Sequence, residues 1–461
     1  METKNLWEVY SEEQLGELEE VNNGYRRFLD EGKTERESVE ATVRLAKEAG
    51  YEDLQDVIAS GRKLAAGDKV YSTCMDKTVV LFQIGTEPME KGMRILGAHI
   101  DSPRIDLKQN PVYEDTGLAY FDTHYYGGIK KYQWVTLPLA IHGVVAFKDG
   151  TKKNIIIGEE ESDPVFVVTD LLIHLSQEQM DKKADKVVEG ENLDLLIGSK
   201  PLVGEEKDAV KANVLKLLKD KYGIEEADFQ SAELEIVPAG KARNCGLDNS
   251  MIMAYGQDDR ICAYTSLAAM LEKKEVKQTA CCILVDKEEI GSVGATGMHS
   301  RFFENAVAEV MELTGQFSEL KLRRAMANSQ MISSDVSAAY DPMYSAAYTK
   351  RSASEFGKGL VLTKFTGSRG KSGSNDANAE YIAKLRKIFD DSQVTYQMTE
   401  LGKVDLGGGG TIAYILANFG MEVIDGGVAV LCMHAPWEVA SKADVYEAVR
   451  GYRVFLETET L

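Results

Sequence analysis

The sequence predicts an α/β protein, a central mixed β-sheet flanked by helices, with a mostly-β domain inserted into it. Three observations predict this. Strand-like apolar runs alternate with helix-period stretches before about residue 104 and again after about residue 245. Between those points the texture changes to short strand-like runs and a lysine- and glutamate-rich stretch. Several strand-like runs outside that block end in an acid or a histidine, and the ends of strands in open α/β sheets are where ligands bind. The expected division is 1–103, 104–245 and 246–461, the first and last forming one domain. At 461 residues, about three domain-sized units or one large domain with an insertion fit equally well.

Residues 1–60 read as helical. Thr34 to Glu37 forms a capping box, Val39, Val43 and Ala46 follow on one face, and Gly50 is a C-terminal stop. From Lys69 the period shortens, with strands expected over Val79–Ile84 and Arg94–Ile100. Inside the block, strands are expected over Thr136–Phe147 and Asn154–Ile157, and an amphipathic helix around Val210, Val214, Leu217 and Leu218. No catalytic-looking cluster falls between Lys182 and Val237. After the block come a strand at Met251–Gly256, a helix from Gln257 to about Lys273, and a buried strand at Ala280–Val285. A helix at Phe302–Leu313, a strand at Met331–Asp335 and a helix at Ala377–Asp390 follow. The chain closes with the turn Gly407–Gly410, a helix Thr411–Phe419, a strand Val428–Met433 ending at His434, and a helix from about Val439 to Leu456.

Hydrophobic residues make up 44% and charged residues 28%, the composition of a protein with a packed core. A net charge of −21 argues against nucleic acid or an anionic membrane, which require a basic footprint. The six cysteines, Cys74, Cys245, Cys262, Cys281, Cys282 and Cys432, form no Cys-x-x-Cys pair and read as buried thiols in a reducing compartment. The N-terminal stretch lacks an apolar signal region, and no run approaches the ~18 apolar residues of a membrane span, so a cytoplasmic location is expected.

The chemistry concentrates in Thr279–Gly297, where the buried strand runs into Asp286-Lys287-Glu288-Glu289 and a glycine-rich turn. On strand-like backbone, Glu288 and Glu289 point to opposite sides, so one can ligate a metal while the other addresses a water. Singly, such acids are solvated turns or helix caps. Five strand-like segments, however, end in a metal-competent side chain: His99, Asp258, Glu289, Asp335 and His434. Two histidines and three carboxylates suit zinc, with cobalt or manganese as alternatives. A two-metal site needs one carboxylate to bridge, leaving one histidine and one carboxylate per metal. Asp101, two residues after His99, lies on the same side of its strand and can orient the imidazole.

Gly97-Ala98-His99-Ile100-Asp101-Ser102-Pro103, Gly256-Gln257-Asp258-Asp259-Arg260, Asp286 to Ser292, Ser333-Ser334-Asp335, Gly407-Gly408-Gly409-Gly410-Thr411 and Met433-His434 appear in order. Together they resemble the aspartyl aminopeptidase family of di-zinc aminopeptidases over almost the whole length. The resemblance implies the di-zinc peptidase fold, an insertion that mediates dimer contacts, and dimers assembled into a hollow tetrahedral dodecamer. It implies two zinc ions, with Asp258 bridging, His99 and Asp335 on one metal, and Glu289 and His434 on the other. It implies Glu288 as general base toward a water held by both metals, peptide substrates with a free N-terminus, and a cis Asp258–Asp259 bond. Acid-specific members carry a histidine where this chain has Asp170, just before Leu171-Leu172-Ile173-His174-Leu175. Asp170 is therefore expected to disfavour acidic N-terminal residues and accept neutral or basic ones. Gly408 and Gly409, and more weakly Lys364 and Lys371, are candidate substrate contacts. The rival readings are a di-metal N-acyl amino acid deacylase or carboxypeptidase-like hydrolase, and an inactive self-assembling scaffold.

Overall fold

The computed structural model describes residues 4–272 and 275–458. The chain divides into two compact units. One comprises the segments up to Asp101, from Ala242 to Met433, and from Glu438 onward; the other comprises Ser102–Lys241 and His434–Trp437. The breaks fall at 101/102 and 241/242, where the sequence suggested 103/104 and 245/246.

The first unit is built on a nine-stranded mixed sheet. Its strands in chain order are β1 (Glu52–Asp53), β2 (Lys69–Cys74), β3 (Thr78–Gln83), β4 (Arg94–His99), β5 (Ala280–Val285), β6 (Gln330–Ser333), β7 (Leu360–Thr363), β8 (Tyr396–Thr399) and β9 (Glu422–Gly427). Their order across the sheet is β1-β2-β3-β5-β4-β6-β9-β7-β8. The middle four, β5-β4-β6-β9, are mutually parallel, with Val285 opposite His99, Ser333 opposite Gly97 and Ser333 opposite Asp425. Every residue of β4, β5 and β6 is buried, as expected where helices cover both faces. The alternation along β5 shows the two layers. Ala280, Cys282 and Leu284 face one core, and Cys281, Ile283 and Val285 face the other.

The helices of this unit include α1 (Glu12–Glu31), α2 (Glu35–Glu48), α3 (Gln257–Leu271), α4 (Phe302–Leu313), α5 (Glu319–Ala327), α6 (Ala379–Asp391), α7 (Ala413–Ala417) and α8 (Lys442–Glu457). Buried side chains of α1, α2, α3, α6 and α8 share the first core, and those of α4, α5 and α7 the second. The capping box starts α2: Thr34 Oγ1 accepts from Glu37 N at 3.2 Å, and Glu37 Oε2 accepts from Thr34 N at 3.0 Å. Gly50 follows α2 with φ +85°.

Several expected boundaries move. The helix expected to reach Lys273 is described to Leu271, and Lys273 lies outside the described residues. Thr411–Phe419 holds only the short α7. Glu438–Ser441, where the final helix was expected to begin, is a strand. It pairs antiparallel with both Met251–Ala254 and Val430–Leu431 in a five-stranded sheet, so tertiary pairing overrides local helical pattern there. The strand expected to end at His434 is Ala429–Leu431, and Cys432 and His434 follow in left-handed backbone. Cys432 is exposed, and Cys74 and Cys245 are half-buried, so only Cys262, Cys281 and Cys282 are the buried thiols expected.

The second unit is a seven-stranded antiparallel sheet. Its longest hairpin pairs Arg104–Asp115 with Leu118–Tyr126. Leu139–Ala146 and Lys152–Ile157 carry the expected strand runs, Ala232–Pro238 is a further strand, and the helix is Ala209–Tyr222.

Gly427 at the end of β9 is one place where the fold tolerates no side chain. A Cβ there would lie 2.0 Å from the Asp335 carbonyl oxygen and 2.8 Å from Cys262 Sγ. Gly427→Ala is expected to cost about 1–3 kcal/mol through overpacking and to displace Asp335. A lowered thermal midpoint together with reduced zinc content checks it; an unchanged midpoint refutes it.

Candidate active site

Because β5, β4 and β6 run parallel, their C-terminal ends reach one rim of the sheet. His99 ends β4, Glu288 and Glu289 follow β5, and Asp335 follows β6. Asp258 comes to the same place from the start of α3, where its φ of −82° and ψ of 104° are not helical. Gly256, at φ +70°, stands at the N-cap of α3, and Asp258 follows two residues later. The Asp258–Asp259 peptide bond is cis. Glu438, buried on the neighbouring sheet, accepts from Asp258 N at 3.0 Å.

His99 is buried. Its Nδ1 lies 3.0 Å from the Asp101 carbonyl oxygen and 3.3 Å from Asp101 Oδ1. Those oxygens take the Nδ1 proton, so Nε2 is the ring nitrogen turned toward the carboxylates. Nε2 lies 3.3 Å from Asp258 Oδ1 and 3.9 Å from Glu288 Oε2. Asp101 also holds the acidic turn: its carboxylate accepts from Glu288 N at 3.1 Å and Glu289 N at 3.2 Å. The turn itself is not strand-like. Lys287 has φ +71°, Glu288–Ile290 is a single 3-10 turn, and Gly291 has φ +97°. Glu288 and Glu289 therefore differ because of the turn, not because of β alternation, and both offer an oxygen close to His99.

Ligand atoms of His99, Asp258 and Asp335 all lie within 4.8 Å of one another, as do those of His99, Glu288 and Glu289. Two donors each ~2.1 Å from a tetrahedral zinc stand about 3.4 Å apart, close to the separation of His99 Nε2 and Asp258 Oδ1. Electrostatics point the same way. Burial works against a charge on His99, yet Asp101 and Asp258, with Asp259 and Glu288, hold its pKa well above the usual range. Burial pushes the Asp335 carboxyl well up, and Asp259, Glu288 and Asp258 add to it. Asp259 is raised in the same way, by burial and by Asp258. Buried carboxylates gathered around one imidazole are a donor set that suits a cation. Glu288, with 16% of its side chain exposed, is open enough for water to reach.

His434 belongs to the second unit, where its Nδ1 is 2.8 Å from the Gly128 carbonyl oxygen. Asp170, also in that unit, is exposed and accepts from Leu171 N at 2.8 Å and Gln179 Nε2 at 2.9 Å. It caps no helix, since the short turn that follows is Ile173–Leu175 with Leu172 ahead of it. Lys364 follows β7 and its carbonyl accepts from Ala377 N at 2.8 Å. Lys371 pairs with Asp376 at 3.1 Å and lies 4.2 Å from the centre of the Phe365 ring. A Cβ on Gly408 would fall 2.2 Å from the Gly367 carbonyl oxygen, so only glycine fits there. Gly409 O accepts from Gly367 N at 2.7 Å. The sequence reading missed Glu438, whose contact with Asp258 arises from strand pairing far along the chain.

A histidine and carboxylate cluster on the rim of an α/β sheet, beside a water-accessible glutamate, defines a metal-dependent hydrolase. Comparison with known proteins narrows this. The chain belongs to the M18 family: the family model described as aminopeptidase I zinc metalloprotease (M18) matches residues 28–456. It is 60% identical over 456 residues to the probable M18 family aminopeptidase 1 of Clostridium acetobutylicum, covering 99% of this chain and 98% of that one. It is similar to the crystal structure of aminopeptidase I from the same organism, with TM-score 0.93, 58% identity and coverage of 99% and 100%. It is also similar to the crystal structure of the M18 aminopeptidase of Thermotoga maritima, with TM-score 0.94, 45% identity and coverage of 99% of each chain. The protein is thus a zinc metallo-aminopeptidase that hydrolyses peptides, and the α/β architecture expected from the sequence is that of these relatives.

Asp101 holds both the ring of His99 and the amides of the Glu288–Glu289 turn, so its loss should loosen ligands on two strands at once. Asp101→Ala is expected to weaken zinc binding by about 10- to 100-fold. Competition with a chromophoric chelator measures this, and an affinity equal to wild type would show that Asp101 has no such role.

Proposed function

We propose that the protein removes the N-terminal residue of peptides at a site holding two zinc ions, with cobalt or manganese as substitutes. The observation that carries this reading is His99 Nε2 set 3.3 Å from Asp258 Oδ1 and 3.9 Å from Glu288 Oε2. In this reading Asp258 would be shared by both ions, His99 and Asp335 would hold one, and Glu289 and His434 would hold the other. Bound zinc supplies Lewis acidity and lowers the pKa of water at the site. Glu288 takes the proton of the attacking water on a carboxylate oxygen and returns it to the nitrogen of the leaving amine. Asp101 keeps Glu288 in place through its backbone amide and keeps His99 Nε2 directed at Asp258. The surplus of buried carboxylates favours a positively charged N-terminal amine nearby. Gly408, Gly409 and Lys364 border the bound peptide.

The exposed Asp170 would turn acidic N-terminal residues away and accept neutral or basic ones. The inserted unit would pair two copies, and the pairs would build a tetrahedral dodecamer; one distant structural neighbour, at 20% identity, is described as the mApe1 dodecamer. A cytoplasmic location goes with this reading. No helix among the described residues is long and apolar enough to cross a membrane.

A panel of Asp, Glu, Lys, Leu and N-acetylated aminoacyl substrates tests the proposal. Wild type is expected to cleave only free-amine substrates, to lose activity on chelation and to regain it with zinc. Glu288→Gln is expected to lower kcat by about 10²- to 10⁴-fold while zinc content stays at the wild-type level. Cleavage of the N-acetylated member would favour a deacylase instead. Asp or Glu cleaved best would overturn the role of Asp170.

A further inference from the structure

The Gly407–Gly410 segment has no side chains with which to hold its own shape, and glycine backbone is costly to order. Its fixation comes from its surroundings. Leu406 N and Gly407 N both donate to the Lys403 carbonyl, at 2.9 and 2.7 Å, closing the turn that enters it. Gly367 N donates to Gly409 O at 2.7 Å in its middle. At its exit stands Thr411, the first residue with a polar side chain. Thr411 Oγ1 donates to Asp425 Oδ1 at 2.5 Å and accepts from Ala413 N at 3.3 Å. Ile412, next in the chain, is buried and lies beside Gly97 of β4.

Asp425 is an unusual partner for a surface loop. It sits in β9, one of the four parallel strands, and is only 3% exposed. It is opposite Ser333 of β6, two residues before Asp335, and opposite Thr363 of β7, next to Lys364. Burial pushes its carboxyl up to about 7, the Thr411 hydrogen bond works against that, and the charge of Glu288 adds to it. It belongs to neither cluster of ligand atoms that contains His99. Its hydrogen bond with the hydroxyl of Thr411 gives this acid its role.

We propose that Asp425 and Thr411 are positioning residues: their hydrogen bond ties the exit of the glycine loop to the sheet strand beside the active-site rim, and so sets the loop for peptide binding. The inference rests on the reading that Gly408 and Gly409 border the substrate. A carboxylate and a neutral carboxyl both accept the hydroxyl, so the tether does not depend on the protonation of Asp425. Its effect falls on binding rather than on the water and Glu288, so it separates KM from kcat.

The test uses Thr411→Val, Thr411→Ser and Asp425→Asn in the full chain. Kinetics are measured on the best aminoacyl substrate, and calorimetry of an uncleaved dipeptide is measured in the Glu288→Gln background. Thr411→Val is expected to raise KM and dipeptide Kd by about tenfold, the loss of one hydrogen bond, with kcat and zinc content within about twofold. Thr411→Ser and Asp425→Asn, which keep the donor and an acceptor, are expected to stay within about twofold of wild type. Thermal unfolding checks integrity, and Thr411→Ala makes the same comparison if valine is not accommodated. KM and Kd unchanged in both Thr411→Val and Thr411→Ala, in an enzyme that cleaves normally, would overturn the tether alone. A wild type that neither cleaves nor, as Glu288→Gln, binds the dipeptide would bring down the substrate reading and the inference with it.

Discussion

Everything at the active-site rim depends on four adjacent strands running the same way. With β5, β4, β6 and β9 parallel, the residues just past their ends are neighbours although they lie far apart in sequence. His99 and the Glu288 turn are brought together by the pairing of β4 with β5, and Asp335 by the pairing of β4 with β6. If one of these strands ran antiparallel, its ligand would move to the opposite rim, a strand length away. The outer strands carry no such demand, and there the sheet mixes directions: β3 meets β5 antiparallel, and β7 meets β9 antiparallel.

Parallel ends alone would leave the acidic turn free to face anywhere. Asp101 removes that freedom, because one carboxylate takes the amides of both Glu288 and Glu289 while its backbone and side chain hold His99 Nδ1. A fully buried aspartate is tolerable because its oxygens have these donors. Burial pushes Asp335 and Asp259 upward, with Asp259 adding to the first and Asp258 to the second, the condition that a divalent cation relieves. Asp101 thus organises the rim, and the carboxylates buried beside it give that rim a surplus of negative charge.

What the sequence makes legible here follows from the range of each cause. Ala280–Val285 and Phe302–Leu313 match the observed elements residue for residue, since a buried parallel strand and an amphipathic helix are written in local pattern. His99, Asp258, Glu288, Glu289 and Asp335 stand out because each follows or opens such an element. The misses come from long-range partners or special backbone. Glu438–Ser441 has a helical look but is claimed by strands on both sides. The 3-10 turn at Glu288 depends on Lys287 adopting positive φ, which no local pattern at a lysine announces. Asp425 reads as one acid inside an apolar strand, and its link to Thr411 crosses fourteen residues of chain.

The insertion makes the importance of local fixation plain. The first unit's chain stops at Asp101 and resumes at Ala242, so the strand bearing His99 is followed by a long excursion rather than by a turn that could hold its end. Loop closure over such a length adds little to the entropic cost, which grows only logarithmically, but it provides no precision. Precision comes from pinning both sides of the break within the first unit. Asp101 is pinned by the amides of Glu288 and Glu289, and Ala242 N donates to Asp30 Oδ1 of α1 at 2.7 Å. The residue that ends the first segment is therefore also the one that aligns the histidine and the two glutamates. An insertion at that point is compatible with an ordered site because the bonds that define the site also fix the end of the interrupted strand.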